Sequence, residues 1–366
     1  MILYHKKMPM KSTKILLVIP FIILSIILSA CSSTIYASTG WHGLIASSDV
    51  AYLAAGPQVY AIDLNTGSEK WRYPDKANAK IAFYANPVLT EDGKLLVPSY
   101  DKNLYVLDAA TGKEDWIFSD SANRLVASPL VIGNMAYQPS SDHFVYAINL
   151  VTQQLAWKQE TGAPIWARPA DNANCNCVFV ASMDHFIYSF DAANGNLNWK
   201  TDLGAAIVGT PAVSSDGSLY IGTFGKQMVA LDAASGNVRW RYDTQDWVWS
   251  GPTLANDVLY FGDLAGYFYA LQVSDGNPKW RIQPKNAIVD TPVVYQDKAY
   301  INTESDTLFI VSTADGSINS KVVGGVIYSS PVITGDLILV SPTGYDALLV
   351  AYNLDGSQKW SFTPAK

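Results

Sequence analysis

Seven tryptophans fall at near-constant intervals along this 366-residue chain: Trp71, Trp116, Trp157, Trp199, Trp240, Trp280 and Trp360. Ser320 stands in the slot where the interval calls for an eighth. A period of 40 to 45 residues held over eight copies restricts the chain to a repeat architecture. In such a fold each unit buries its apolar face only against its neighbours.

A shared phrase precedes each tryptophan. It reads Tyr60-Ala61-Ile62-Asp63, then Thr66-Gly67, then Trp71 in the first copy, and Ala230-Leu231-Asp232, Ser235-Gly236 and Trp240 in the fifth. An apolar segment, an Asp-x-x-(Thr/Ser)-Gly turn and a returning segment predict two strands joined by a tight turn. A second phrase centres on Pro87, Pro129, Pro169, Pro211, Pro252, Pro292 and Pro331, each followed by short apolar runs such as Leu219–Gly222 and Val258–Phe261. Proline lacks the N–H that a ladder needs, so it belongs at a strand start or on an edge. Each copy therefore predicts four short strands, the content of one propeller blade. The expected fold is all-β, an eight-bladed β-propeller of four-stranded antiparallel blades over residues 43–366. The copies drift: Gln153 replaces the turn glycine in the third, Ser320 the tryptophan in the seventh, and the turn Asn353–Gly356 of the eighth is one residue shorter. The seam without its indole is expected to be the loosest.

The phrase Ala-Leu-Asp-x-x-(Thr/Ser)-Gly-x-x-x-Trp resembles the repeat of the PQQ-like (quinoprotein-type) β-propellers. The resemblance implies that the seven tryptophans dock between blades. WD40 and kelch repeats carry other signatures and periods.

The N-terminus reads as an address. Lys6, Lys7, Lys11 and Lys14 flank an apolar run from Ile15 to Leu28. At 1.5 Å per residue this run is about 21 Å long, short of a roughly 30 Å hydrocarbon layer. It is expected to be a secretory signal covering residues 1–30. Leu28-Ser29-Ala30-Cys31 resembles a bacterial lipobox, which implies cleavage before Cys31 and its lipidation. Residues 31–42 would then be a lipidated N-terminus and short tether. Ser32 to Thr39 would span under roughly 30 Å and keep the propeller near the membrane. In Gram-negative lipoproteins Ser32 implies outer-membrane sorting on the periplasmic side; in a single-membrane cell the chain would sit on the outer face of the cell membrane.

Loss of residues 1–30 removes four lysines and no acids, leaving 21 basic against 32 acidic residues and a net charge of −11. An acidic body argues against nucleic acid and anionic lipid as partners. Membrane attachment is left to the lipid anchor. Cys175 and Cys177 remain as a pair in a polar connection, where a compact turn is required before they can bridge. A local bridge and free thiols both stay open, and two cysteines are too few for structural zinc.

Aligning the copies on their prolines shows a uniformly apolar column four residues upstream, which is packing: Phe83, Leu125, Ile165, Ile207, Val248, Ile288 and Ile327. The residues that depart from small or apolar types gather beside it: Tyr84, Arg124, Trp166, Arg168, Trp247, Trp249, Asp290 and Tyr328. In a propeller these segments ring one mouth of the channel, and aromatic rings with a few charges suit a recognition surface. Rim residues packed over loops are the competing reading. His143 and His185 hold matching positions in adjacent copies, but without a third ligand they predict no metal site.

No nucleophile elbow, zinc-peptidase motif or phosphate loop occurs in the sequence, and no catalytic residue is assigned. Quinoprotein dehydrogenases share the repeat, yet they resemble one another in a vicinal Cys-Cys and a Ca²⁺-binding cluster that cannot be placed here, so neither PQQ nor Ca²⁺ is expected. The chain most resembles the propeller lipoproteins of outer-membrane β-barrel assembly. That resemblance implies a non-enzymatic scaffold for envelope proteins, monomeric or within a hetero-complex. An envelope protein that binds a small ligand or sugar is the alternative, and a PQQ-dependent dehydrogenase the third reading.

Overall fold

The computed structural model describes residues 41–172 and 174–365. The signal segment, Cys31 and most of the tether lie outside the described residues. Eight antiparallel sheets of four strands follow one another around an axis, over residues 43–73, 88–118, 130–160, 170–202, 212–243, 253–282, 293–322 and 332–362. No helix occurs among the described residues. We number these blades 1 to 8. Within each blade the strands run outward in chain order. The short first strands of neighbouring blades lie side by side along the axis, and in blades 2 to 8 each starts one residue after a repeat proline.

Burial explains the sequence pattern. Second strands such as Val50–Ala55 and Val258–Gly262 are covered on both faces and so read as continuous apolar runs. Outer strands such as Leu197–Asp202 alternate exposed and half-buried residues. The core is divided into eight apolar clusters, one per seam between blades. Leu95, Val97 and Tyr105 of blade 2 pack with Tyr52, Val59 and Phe83 at the first seam, and Leu53, Tyr60 and Ile62 of blade 1 meet Leu339, Leu349 and Phe362 of blade 8 at the last.

The tryptophans stand at these seams. In six of them the indole N–H reaches a backbone carbonyl of the next blade. Trp71 bonds to Ala109 O (3.1 Å), Trp157 to Ala192 O (3.1 Å), Trp199 to Ala233 O (3.2 Å), Trp240 to Val273 O (3.0 Å), Trp280 to Thr313 O (3.2 Å) and Trp360 to Leu64 O (2.8 Å). The turn glycine of that next blade lies flat against the ring: a Cβ on Gly112 would stand 2.6 Å from Trp71. Trp116 packs into its seam beside Leu150 and Leu155 without such a bond. The corresponding turn of blade 3 carries an exposed Gln153 in place of glycine, held at φ +59.

A β-bulge aims each indole. The register between third and fourth strands shifts in every blade that has the tryptophan, one residue before it. Blade 7 pairs Phe309 with Ser320 without a shift. A bulge adds a residue and turns the strand, so the missing ring and the missing bulge belong together.

Every blade is built from consecutive strands, so no shared sheet locks the ring. Closure rests on docking. Besides Trp360, Thr334 Oγ1 donates to Ser47 O (3.1 Å), Arg72 donates to Ala365 O (3.1 Å), and the His42 ring shares a hydrogen bond with Ser341 Oγ (2.7 Å).

The seam between blades 7 and 8 differs from the rest. Gly356 in the shortened turn has φ +86 and no atom within 4 Å of where a Cβ would be. A two-stranded patch pairs Val326–Ile327 with Pro342–Thr343 there, reinforced by Thr343 Oγ1 on Val326 O at 3.0 Å. Extra backbone pairing thus strengthens this seam at the end opposite the turn that an indole covers in the other seams. This gives an internal control. Gly356→Ala is expected to cost only the left-handed backbone penalty of about 1–2 kcal/mol. Gly112→Ala must also displace Trp71 and is expected to lose a further ~1–3 kcal/mol, the scale of overpacking. Urea unfolding of the two variants checks this; equal losses would show that the glycine–indole contact carries no energy.

Candidate binding face

Antiparallel strands fix which segments share a face. The connections between blades and the loops between second and third strands emerge on one side, here the loop face. The turns after first and third strands emerge on the other, the turn face. Trp41 and His42 lead into a first strand and so lie on the loop face. The turn face repeats aspartates: Asp63, Asp108, Asp191 and Asp232 each accept backbone N–H bonds across their turns. Arg239 and Ser235 hold the Asp232 carboxyl down to about 2.

The eight candidate residues all come from connections on the loop face, but they form separate groups. Trp247 and Trp249 sandwich Phe224, with ring centroids 4.8 and 5.2 Å away and planes 10° and 28° apart. Trp247 is 43% exposed. Its N–H bonds to Asp246 Oδ1 (2.9 Å), and its carbonyl accepts Leu264 N (3.0 Å). Tyr84 meets Tyr100 edge-on at 4.9 Å, and the exposed Arg124 guanidinium lies 5.6 Å from the Tyr100 ring centre. Trp166, half-buried, donates from Nε1 to Ser141 Oγ (3.2 Å). Tyr328 is half-buried. Tyr345 and Trp41 add exposed rings at 46% and 44%.

Arg168 and Asp290 sit lower, where the first strands begin. Here each blade touches the next: Ser128 Oγ donates to Asn86 O (2.7 Å), Leu44 N to Asn86 Oδ1 (3.0 Å), and Ser330 Oγ to Asp290 Oδ1 (2.7 Å) and Thr291 O (2.9 Å). A Cβ on Gly251 would lie 2.3 Å from Thr210 O, so the girdle is tight. Arg168 lies along the wall and donates from Nε to Pro129 O (3.2 Å). Its surface is open to solvent, but protein crowds the head group and lowers its pKa. The Asp290 residue as a whole is half-buried, while its Oδ2 is covered and has no partner. Burial raises this carboxyl to about 7. The two charged residues are wall elements of the channel, separate from the aromatic groups above.

His143 and His185 both take left-handed backbone in their loops, at φ 78 and 68. His185 Nδ1 is 3.6 Å from Asp202 Oδ1. Among the described residues no group of three His, Cys, Asp or Glu is placed to hold a metal ion.

Phe224, Tyr100 and Tyr345 escaped the proline alignment because they come from loops inside blades, which no proline marks. The signal was an aromatic in a loop that is otherwise polar. A second missed device is Asp-x-x-x-Tyr. Asp101, Asp142 and Asp184 accept the hydroxyls of Tyr105, Tyr146 and Tyr188 at 2.6–2.7 Å, tying each such loop to its third strand.

The strands, bulges and docked indoles together define an eight-bladed propeller of PQQ-type repeats with an aromatic loop face. The chain belongs to the family described as outer membrane protein assembly factor BamB, whose profile matches residues 34–182 and 183–320. Among solved structures it is similar to BamB from Moraxella catarrhalis, at 18% identity and TM-score 0.70, covering 82% of this chain and 92% of that one. It is also similar to the computationally designed Ika8 protein, at 12% identity and TM-score 0.72, covering 89% and 98%. No curated protein matches it significantly.

Proposed function

We propose that this chain is a lipid-anchored, non-enzymatic scaffold of the outer membrane's periplasmic side, which captures proteins of outer-membrane assembly through its loop face. Membership of the family supports the setting. The observation that carries the surface is the Trp247–Phe224–Trp249 stack with an exposed outer ring. Rigid aromatics bury large area for little side-chain entropy and dominate protein interfaces. The aspartates of the turn face disfavour an anionic surface, and the loop face, where Trp41 enters the first blade, lies opposite them.

A quinone–Ca²⁺ site does not fit the residues present. Among the described residues no group of three His, Cys, Asp or Glu could hold the cation, and burial raises the Asp290 carboxyl of the girdle to about 7. The cysteine pair lies on the turn face among Asp216, Asp232 and Arg239, away from the channel mouth.

The test is pull-down of purified assembly-machinery proteins from the same organism by the intact chain and by Trp247→Ala/Trp249→Ala. If each ring is a hot spot of about 2 kcal/mol, the double variant loses more than 100-fold in affinity while its circular dichroism stays unchanged. Unchanged capture would remove this face as the docking surface.

A further inference from the structure

We propose that Cys175 and Cys177 form a reversible dithiol–disulfide site that exchanges with a dithiol-bearing partner on the turn face. The two sulfurs are bridged, with Cα atoms 5.1 Å apart. That separation arises because Asn176 between them adopts φ +49, which folds the extended chain back within bridging range.

The chain contains its own control for what this bridge does to the fold. Blades 2 and 5 make turns at the same place, after the first strand, without cysteine. In blade 5 Ser218 N donates to Ser214 Oγ (3.1 Å) and Asp216 Oδ1 (3.0 Å), and in blade 2 Lys94 N donates to Thr90 Oγ1 (2.9 Å). Counted back from the second strand, Cys175 stands where those turns have Asp92 and Asp216. The bridge therefore replaces a side-chain hydrogen bond that suffices elsewhere. It also encloses a single residue, so it closes a very short loop and constrains the unfolded chain little. A bridge that stabilises little can open without unfolding the blade.

Exposure and local chemistry set a direction of attack. Cys175 is half-buried at the edge of a depression of about 270 Å³ that Asn174, Asp216, Asp232 and Arg239 also line. Cys177 is buried at 4%. Asn198 Nδ2 lies 3.7 Å from Cys177 Sγ and can donate to it. Asn198 occupies the bulged position before Trp199; the other bulged positions hold Lys70, Asp115, Ala156, Arg239, Lys279 and Lys359. Among the seven bulged positions an amide stands only in the cysteine-bearing blade; blade 7, which has no bulge, carries Asn319 at the equivalent place.

A partner thiolate attacks Cys175 Sγ, an S–S bond forms between them, and the Cys175–Cys177 bond breaks. The electron pair leaves on Cys177 Sγ, where the Asn198 amide supports the charge. The partner's second thiolate then attacks its own sulfur in the mixed disulfide and releases Cys175 as thiolate. Two electrons pass from the partner to this chain, the partner ends as a disulfide, and the reverse sequence reoxidises it.

The experiment places the full chain in a graded series of reduced and oxidised glutathione, traps free thiols with maleimide, and reads the Cys175–Cys177 peptide by mass spectrometry. The expected result is a two-electron transition within the series, with tryptophan fluorescence and circular dichroism unchanged. Cys177→Ser should take up glutathione on Cys175, and Cys175→Ser should do so on Cys177 at least tenfold more slowly. Asn198→Ala should slow reduction severalfold. A peptide that stays oxidised across the series, or one that reduces only as the propeller unfolds, overturns the proposal.

Discussion

Trp199→Ala is expected to destabilise the propeller by about 3 kcal/mol or more, the lower end for losing a large aromatic side chain. The indole lies 5.8 Å from the Phe179 ring and rests on Gly236, whose carbonyl also accepts Thr201 Oγ1 at 2.8 Å. Removing it opens a hole at the seam between blades 4 and 5 and strips Ala233 O of its donor. At roughly 2 cal/mol/K per residue of unfolding entropy, 3 kcal/mol corresponds to a melting-point drop of about 4–5 °C for a body this size. Trp116→Ala should cost about 1 kcal/mol less, because no indole hydrogen bond is lost with it. Thermal and urea unfolding of both variants give the comparison. A Trp199→Ala loss under 1 kcal/mol would mean that the seams are held by the apolar clusters beneath and that the indoles only cover them.

The repeat period, the turn Asp-x-x-(Thr/Ser)-Gly and the strand-starting prolines made the blades legible in the sequence, because each is a local rule: a φ that glycine allows, an N–H that proline lacks. The bulge before each tryptophan was not legible, since Lys70, Ala156 and Arg239 share no side-chain property and the register shift is a backbone event. Substitution of Ser320 for tryptophan was visible, but the strand pair Val326–Ile327 with Pro342–Thr343 was not, as two-residue strands leave no periodicity. The site was half legible. Aligning on prolines drew Trp247, Trp249, Tyr84 and Arg124 from one kind of connection, while Phe224 and Tyr100, which complete those clusters, come from loops of another kind. Arg168 and Asp290 stood out by charge in the same alignment, but their depth in the girdle depends on neighbouring blades that the sequence does not bring together.

Asp290→Asn is expected to expose a pH dependence that the native chain conceals. Burial raises the Asp290 carboxyl from 3.8 to about 7. Its folded form keeps a proton that the unfolded chain releases, so its contribution is full below pH 4 and is lost as pH rises to 7, by up to ~4 kcal/mol. His42 runs the other way. Burial lowers its ring from 6.5 to about 4, so its contribution is full above pH 6.5 and is lost as pH falls to 4, by up to ~3 kcal/mol. The two windows overlap and their slopes oppose, leaving the native protein nearly flat between pH 4.5 and 6.5. Carboxylates lowered by their partners, such as Asp232 at about 2, act below this range. The asparagine cannot ionise, and its amide oxygen can take the place of Asp290 Oδ1 as acceptor for Ser330 Oγ. The variant should therefore be more stable than the native chain at pH 8, by up to ~4 kcal/mol, and should lose stability by ~2–3 kcal/mol between pH 6.5 and 4.5. Urea midpoints of both proteins at pH 4.5, 6.5 and 8 decide it. Parallel curves for the two would show that the Asp290 carboxyl is ionised in the folded channel wall.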